Sequence, residues 1–134
     1  MIDAKDLAIG DWVYDGQSTQ FPMFVIGIGV DYVYLDFPGN EGDVWESTPD
    51  ELYGIPLTDE LLAKLGFVSN DFGLWKKTEK RREVTVSLER GFVFIEAFDN
   101  KWLDSRGWCH GIKHLHQLQN LFRTIAKEDF KVEL

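Results

Sequence analysis

Short β-forming segments, separated every few residues by Gly and Asp, dominate the N-terminal part of the chain and restrict what it can fold into. Trp12–Tyr14 follows one such turn. Residues 22–30 are rich in β-formers but are interrupted by Gly27 and Gly29, which predicts a bulge or sharp bend. In Tyr32–Phe37 apolar and polar side chains alternate, so one face points to a core. Four or five such strands predict a small bent β-barrel.

The second half of the chain mixes strand and helix patterns. Val84–Glu89 alternates, and Phe92–Phe98 is apolar on both sides, as in an interior strand. Thr58 is the predicted cap of a helix over Asp59–Leu65. The apolar spacing of three and four residues predicts a longer helix over Ile112–Lys127. Phe130–Leu134 is a predicted final edge strand.

These patterns predict an α+β fold in one compact unit. An N-terminal small β-barrel (residues 1–56) is expected to pack on a C-terminal antiparallel sheet with two helices (residues 57–134). The periodicities place Phe94 of the strand and Leu118 of the helix in the core. The chain has 134 residues, of which 44% are hydrophobic, and needs no disulfide or metal to stabilise its core.

Charge divides the chain unevenly. Residues 1–56 carry eleven acidic side chains and one basic one, a net charge of −10, whereas residues 57–134 have a net charge of +1. The only basic run, Lys76–Arg82, is a predicted exposed hairpin loop. Because an acidic half repels phosphates, we expect no direct nucleic-acid binding. Acidic residues either keep the barrel soluble or attract a basic protein partner.

The sequence has no apolar run long enough to span a bilayer, no N-terminal signal-peptide pattern and one cysteine, Cys109. A single cysteine excludes an intramolecular disulfide and is typical of a reducing compartment. These features predict a cytoplasmic protein without a membrane partner.

Residues 109–116 contain the only Cys/His cluster. His114 and His116 are two residues apart on the predicted helix, so their side chains are expected to point away from each other. With one cysteine and diverging histidines, we predict no metal site. Adjacent Cys109 and His110 rarely form a nucleophile–base pair. The sequence shows no phosphate-binding glycine loop, so we predict no cofactor and assign no catalytic residue.

One polar group is nevertheless a candidate site: Glu96, Asp99 and His110. Two carboxylates beside aromatic residues can act as an acid–base pair, although such residues also serve as turns and caps. Glu96 interrupts an apolar strand and is expected to need a partner such as Lys101 or Arg106.

Aromatic side chains of the acidic half are the candidate protein interface. Large amphipathic rings anchor many protein–protein contacts. The predicted interface residues are Trp12, Tyr14, Tyr32, Tyr34 and Trp45.

Two stretches carry a resemblance to a known family. They are Ile9–Val13, continuing to Gly39–Trp45 and Leu52–Leu57, and the segment Ile112–Leu121. Together they resemble a family of small uncharacterised proteins from bacterial prophages and integrative mobile elements, over most of the chain and most weakly at residues 68–83. The resemblance implies a bacterial or phage-borne setting and transfers no catalytic residue. The opening Gly-Asp-x-Val is also similar to Src-homology-3-like barrels.

The leading hypothesis is a non-enzymatic accessory or adaptor protein that binds another protein. Two alternatives stay open. One is a weak hydrolase or small-ligand binder, and the other is a nucleic-acid mimic that occupies a DNA-binding protein through its acidic half.

Overall fold

A computed structural model describes residues 2–16 and 21–134. Within those residues the chain forms two antiparallel five-stranded sheets and two α-helices, which confirms the predicted α+β class. The chain divides into two compact units. The first comprises Met1–Ile55 with His114–His116, and the second comprises Pro56–Lys113 with Gln117–Leu134.

The first sheet lies in the first unit. Its strands are β1 (Trp12–Asp15), β2 (Pro22–Ile28), β3 (Val33–Asp36), β4 (Trp45–Ser47) and β5 (Leu52–Gly54). Their order across the sheet is β4-β3-β2-β1-β5. A 3₁₀ turn over Ala4–Asp6 precedes the sheet, and a second over Pro49–Glu51 leads into β5. Pro49 suits the start of that turn because its fixed φ matches a helical position.

Two predictions for this sheet are confirmed. The pairing of β2 with β3 shifts by one residue between Val25 and Gly27, which is the bulge that the glycines predicted. Val33 and Leu35 are completely buried, as the alternation in β3 required. They belong to a core cluster with Ile2, Leu7, Val13, Met23, Val25 and Leu52.

The structure shows the predicted barrel only as a sheet. In the described residues the pairing runs from β4 to β5 without joining these two edge strands. The structure therefore shows the element order and the antiparallel pairing of the first unit.

The second sheet lies in the second unit. Its strands are β6 (Val68–Ser69), β7 (Leu74–Glu79), β8 (Arg82–Ser87), β9 (Phe92–Asp99) and β10 (Trp102–Cys109), in the order β10-β9-β8-β7-β6. The helices are α1 (Asp59–Lys64) and α2 (Leu115–Ala126). Thr58 caps α1 as predicted, because its Oγ1 accepts a hydrogen bond from the Leu61 N–H at 3.1 Å. No helix in the described ranges is long and apolar enough to cross a membrane.

β10 and the C-terminal segment differ from the prediction. The sequence analysis missed β10, because the shift in pairing between Leu103 and Ser105 breaks its alternation and its edge position leaves most side chains exposed. The predicted strand over Phe130–Leu134 is wrong. That segment has no strand structure, and Phe130 is buried against the Phe122 ring, 5.1 Å away between centroids.

The facing of β9 is also a correction. Val93, Ile95 and Ala97 are buried, so Phe94 lies on the opposite face and is only half-buried. A strand that is apolar in both phases does not reveal which phase faces the helix. The face that carries Val93, Ile95 and Ala97 is turned toward α2. The evidence is at Gly107, which lies directly opposite Ile95: a Cβ there would collide with Ile125 of the helix. Leu118 of α2 is completely buried, as predicted.

The basic run is a tighter hairpin than predicted. Lys76 and Lys77 lie within β7, and only Lys80 and Arg81 form the turn. Both turn residues have positive φ, 48° and 75°, in a region that side chains other than Gly and Asn seldom adopt. The Lys77 ammonium group donates a hydrogen bond to the Leu65 carbonyl at 2.7 Å, so this cation is not a free loop charge.

Candidate protein-binding surface

The predicted polar cluster is not assembled in the structure. Glu96 lies on the face of the second sheet away from α2, directly opposite Arg106 of β10. His110 packs beside the Phe92 ring, with 5.0 Å between ring centroids. Phe92 and Glu96 are four positions apart on one strand, so His110 and Glu96 are separated by roughly 13 Å.

Asp99 is further away again, at the β9–β10 turn. It lines a cleft of about 600 Å³ together with Arg81 and Asp104. His110 instead lines a separate groove of about 700 Å³ with Phe92 and Trp108. Asp99 and His110 thus line different clefts. Among the described residues no three His, Cys, Asp or Glu side chains are grouped so that they could hold a metal ion.

The two histidines of the Cys/His cluster are closer than predicted. Because α2 begins at Leu115, His114 precedes the helix, and the helical angle between the two residues does not apply. Their rings stack at 5.8 Å between centroids with 20° between the planes. The prediction that they diverge is therefore wrong.

His116 is buried, and its Nδ1 has no hydrogen-bond partner in the described part of the chain. Burial of the ring lowers the pKa of His116 to about 4; the neighbouring His114 acts in the same direction, and Asp6 opposes it. The ring is therefore neutral at pH 7.

The outer face of the first sheet, away from its core cluster, is aromatic. Tyr14 lies directly opposite Tyr53, and Trp12 lies directly opposite Phe24. The Tyr34 ring lies over Gly27, where a Cβ would come within 3.3 Å of it. The glycine that bends β2 thus also makes room for a tyrosine on the outer face.

Carboxylates stand on the same face. Residues directly opposite in a sheet share a face, and the pairs Phe24–Asp36 and Tyr34–Glu46 each place a carboxylate beside a ring. We call this surface the acidic aromatic face. Its residues are Tyr14, Phe24, Tyr34, Asp36, Glu46 and Tyr53.

The predicted interface residues divide between this face and other places. Tyr14 and Tyr34 are half-buried on it, and Tyr32 is exposed at the turn before β3. Trp12 is a correction: it is 6% exposed and packs on Phe24 at 5.2 Å between ring centroids. Trp45 lies opposite Leu35, on the core side, where its indole N–H donates a short hydrogen bond to the buried carboxylate of Asp15.

The acidic charge of the first unit is mostly on its surface. Seven of its eleven carboxylates are exposed: Asp3, Asp6, Asp31, Glu41, Asp43, Glu46 and Asp50. Asp11 and Asp15 are buried and have structural roles, since Asp11 accepts a hydrogen bond from the Ala8 N–H at 2.9 Å. Sequence reasoning missed Phe24 and Tyr53. The strand register places them on the acidic aromatic face, because Phe24 pairs with Trp12 and Tyr53 pairs with Tyr14.

No protein-family model, no curated protein and no solved structure matches this chain. Its function is therefore argued from its own geometry.

Proposed function

We propose that the chain is a non-enzymatic adaptor that binds a basic segment of another protein on the acidic aromatic face, in a bacterial prophage or mobile-element setting. The observation that carries the proposal is the register that puts Asp36 beside Phe24 and Glu46 beside Tyr34 on one face. A surface with this composition recognises Lys and Arg side chains in two ways.

Rings and carboxylates act together on a cation. A guanidinium or ammonium group gains about 0.5–1 kcal/mol over an exposed aromatic ring. A neighbouring carboxylate adds a charge-assisted hydrogen bond. Tyrosine also supplies a large contact area with few rotatable bonds, which makes it an effective interface anchor.

The surrounding charge favours a basic partner over a neutral one. Seven exposed carboxylates and a single lysine, Lys5, produce a negative potential around the first unit. Such a potential accelerates encounters with positively charged proteins and loses strength as salt rises.

We further propose that the first unit is a small bent barrel of the Src-homology-3 kind. Three features support this assignment: the strand order β4-β3-β2-β1-β5, the bulge in β2, and the 3₁₀ turn directly before β5. Asp15 of β1 also accepts a hydrogen bond from Trp45 of β4, although these strands are not neighbours in the sheet. A closed barrel would explain that contact.

The test compares two charge reversals at exposed glutamates. Glu46→Lys removes a carboxylate from the acidic aromatic face, and Glu89→Lys makes the same change in the second unit, where Glu89 is exposed. Proteins retained from a bacterial lysate at about 50 mM salt are identified by mass spectrometry, and the purified partner is titrated. We expect a basic partner whose affinity falls at least about tenfold with Glu46→Lys and less than about twofold with Glu89→Lys.

Equal effects of the two reversals, or an affinity that does not fall between about 50 and 500 mM salt, would contradict the proposal. A duplex DNA competitor separates the adaptor from the nucleic-acid mimic. If DNA displaces the chain from its partner, the result favours a nucleic-acid mimic. If the chain, its partner and DNA form a ternary complex, the result favours an adaptor.

A further inference from the structure

Strand β10 forms an exposed edge of the second sheet. It pairs with β9 on one side, and no strand in the described residues pairs with its other side. It is eight residues long, and no residue in it is buried. A long exposed edge presents unpaired N–H and C=O groups to which another strand can pair.

The irregular part of this edge is its first half. The pairing shift between Leu103 and Ser105 distorts the strand there, and an exposed charge at Asp104 adjoins it. From Ser105 to Cys109 the register with β9 continues without interruption. The second half is thus a regular five-residue template.

The two faces of this template differ. Arg106 and Trp108 lie on the outer face, and Trp108 is 62% exposed. Gly107 lies on the inner face, where Ile125 of α2 occupies the space above it. Ser105 is on the same side as Gly107, and its hydroxyl donates a hydrogen bond to the Ile125 carbonyl at 2.8 Å.

We infer that the stretch Ser105–Cys109 pairs antiparallel with the same stretch of a second copy, about a two-fold axis at Gly107. In this register Arg106 lies opposite Trp108 of the second copy, and the reverse contact forms at the same time. Each pair sets a guanidinium group beside an indole ring, the most favourable cation–π combination. Ser105 lies opposite Cys109 of the second copy, and the two glycines meet at the axis.

Self-complementarity is what selects a second copy as the occupant. One two-fold axis makes both Arg–Trp contacts, as an isologous interface requires. The strand lies in the second unit, whose net charge is close to zero. Because each chain still carries −9 overall, salt should screen the repulsion between copies. Dimerisation should therefore strengthen with salt, opposite to the proposed partner binding.

Sedimentation velocity at about 1–300 μM protein measures the association. Trp108→Ala and Arg106→Gln should each weaken dimerisation at least about fivefold. Trp102→Ala is the matched control, since Trp102 is a 79% exposed tryptophan on the same strand outside the paired stretch, and it should change the constant less than twofold. A wild-type chain that stays monomeric, or equal effects of the two tryptophan replacements, would overturn the inference.

A disulfide tests the register. Directly opposite residues have Cβ atoms about 4.5–5.5 Å apart, within reach of a disulfide after small adjustments. Under a mild oxidant, Ser105→Cys should form a dimer cross-linked between residue 105 and Cys109, identified by peptide mass spectrometry. The double variant Ser105→Cys/Cys109→Ser should remain uncross-linked. Cross-linking through residue 105 alone would overturn the stated axis, and circular dichroism checks that both variants fold.

Discussion

The two sheets have the same number of strands but present different outer faces. In the first, carboxylates stand beside rings, as at Tyr34 and Glu46. In the second, charges of opposite sign are neighbours: Arg106 lies opposite Glu96, and Lys76 lies 3.4 Å from Glu83. The first face therefore combines rings with negative charge, whereas the second combines rings with charges of both signs. Two five-stranded antiparallel sheets in one chain thus present outer faces of different chemistry.

The cores of the two sheets differ in what covers them. The first sheet buries a cluster drawn largely from its own strands, whereas the second buries its branched residues on the side of α2.

Removing a helix side chain should have the largest effect. Leu118 is completely buried, so Leu118→Ala should lower the free energy of unfolding by about 2–5 kcal/mol through lost burial and the cavity it leaves. Thr124→Ala, at an exposed position of the same helix, should change it by less than about 0.5 kcal/mol. Denaturant titration measures both, and similar losses would mean that α2 does not cover the second sheet.

Acid should act on the first unit through His116. Its folded-state pKa of about 4 lies below the ordinary 6.5. Between these pH values the histidine is therefore protonated in the unfolded chain and neutral in the folded chain. The contribution of His116 to the free energy of unfolding is fully present above pH 6.5, and it falls by about 3 kcal/mol as the pH drops to 4. His116→Gln should remove that part of the pH dependence.

Thr124→Ala provides the control for this measurement, because it removes no titratable group from an exposed position of α2. It should leave the slope of unfolding free energy against pH unchanged between pH 6.5 and 4. If His116→Gln follows the wild-type curve as closely as this control does, His116 does not contribute to the acid sensitivity.

Replacing Phe94 of β9 should have a smaller effect on stability, and comparison with Ile95 tests which face of the strand is buried. Phe94→Ala should cost about 1–2 kcal/mol, since its ring is only half-buried, whereas Ile95→Ala should cost about 2–5 kcal/mol. The reverse order would restore the facing that the sequence pattern predicted.

The smallest effect is a gain at the β7–β8 turn. Lys80→Asn with Arg81→Gly supplies residues that tolerate positive φ, so stability should rise by about 0.5–1 kcal/mol. Asn100→Gly at the β9–β10 turn is the control, because Asn already tolerates its φ of 57° and should gain less. Equal thermal shifts would indicate that the Lys-Arg turn carries no strain.

Strand prediction succeeded where one face alone is apolar. Tyr32–Phe37 alternates clearly, and Val33 and Leu35 are buried as predicted. In β9 both phases are apolar, so the choice of the inner phase depends on α2, which the local pattern does not contain. β10 escaped prediction because its edge position removes the burial that creates a pattern.

Alternation within single strands also made part of the candidate surface predictable. Tyr14 and Tyr34 follow from alternation in their own strands, but Tyr53 joins them only through the pairing of β5 with β1. The sequence predicts Trp12 on the surface because a large ring near polar residues gives the same pattern whether or not Phe24 covers it. Pairing partners distant in sequence decide such cases.

The division of the chain has a consequence for its synthesis. His114–His116 belong to the first unit, although nearly sixty residues separate them from Ile55. A ribosome therefore releases the whole of the second sheet before the last three residues of the first unit emerge. The N-terminal strands are therefore synthesised nearly sixty residues before the segment that completes their unit, and a fragment cut after residue 56 would lack those three residues.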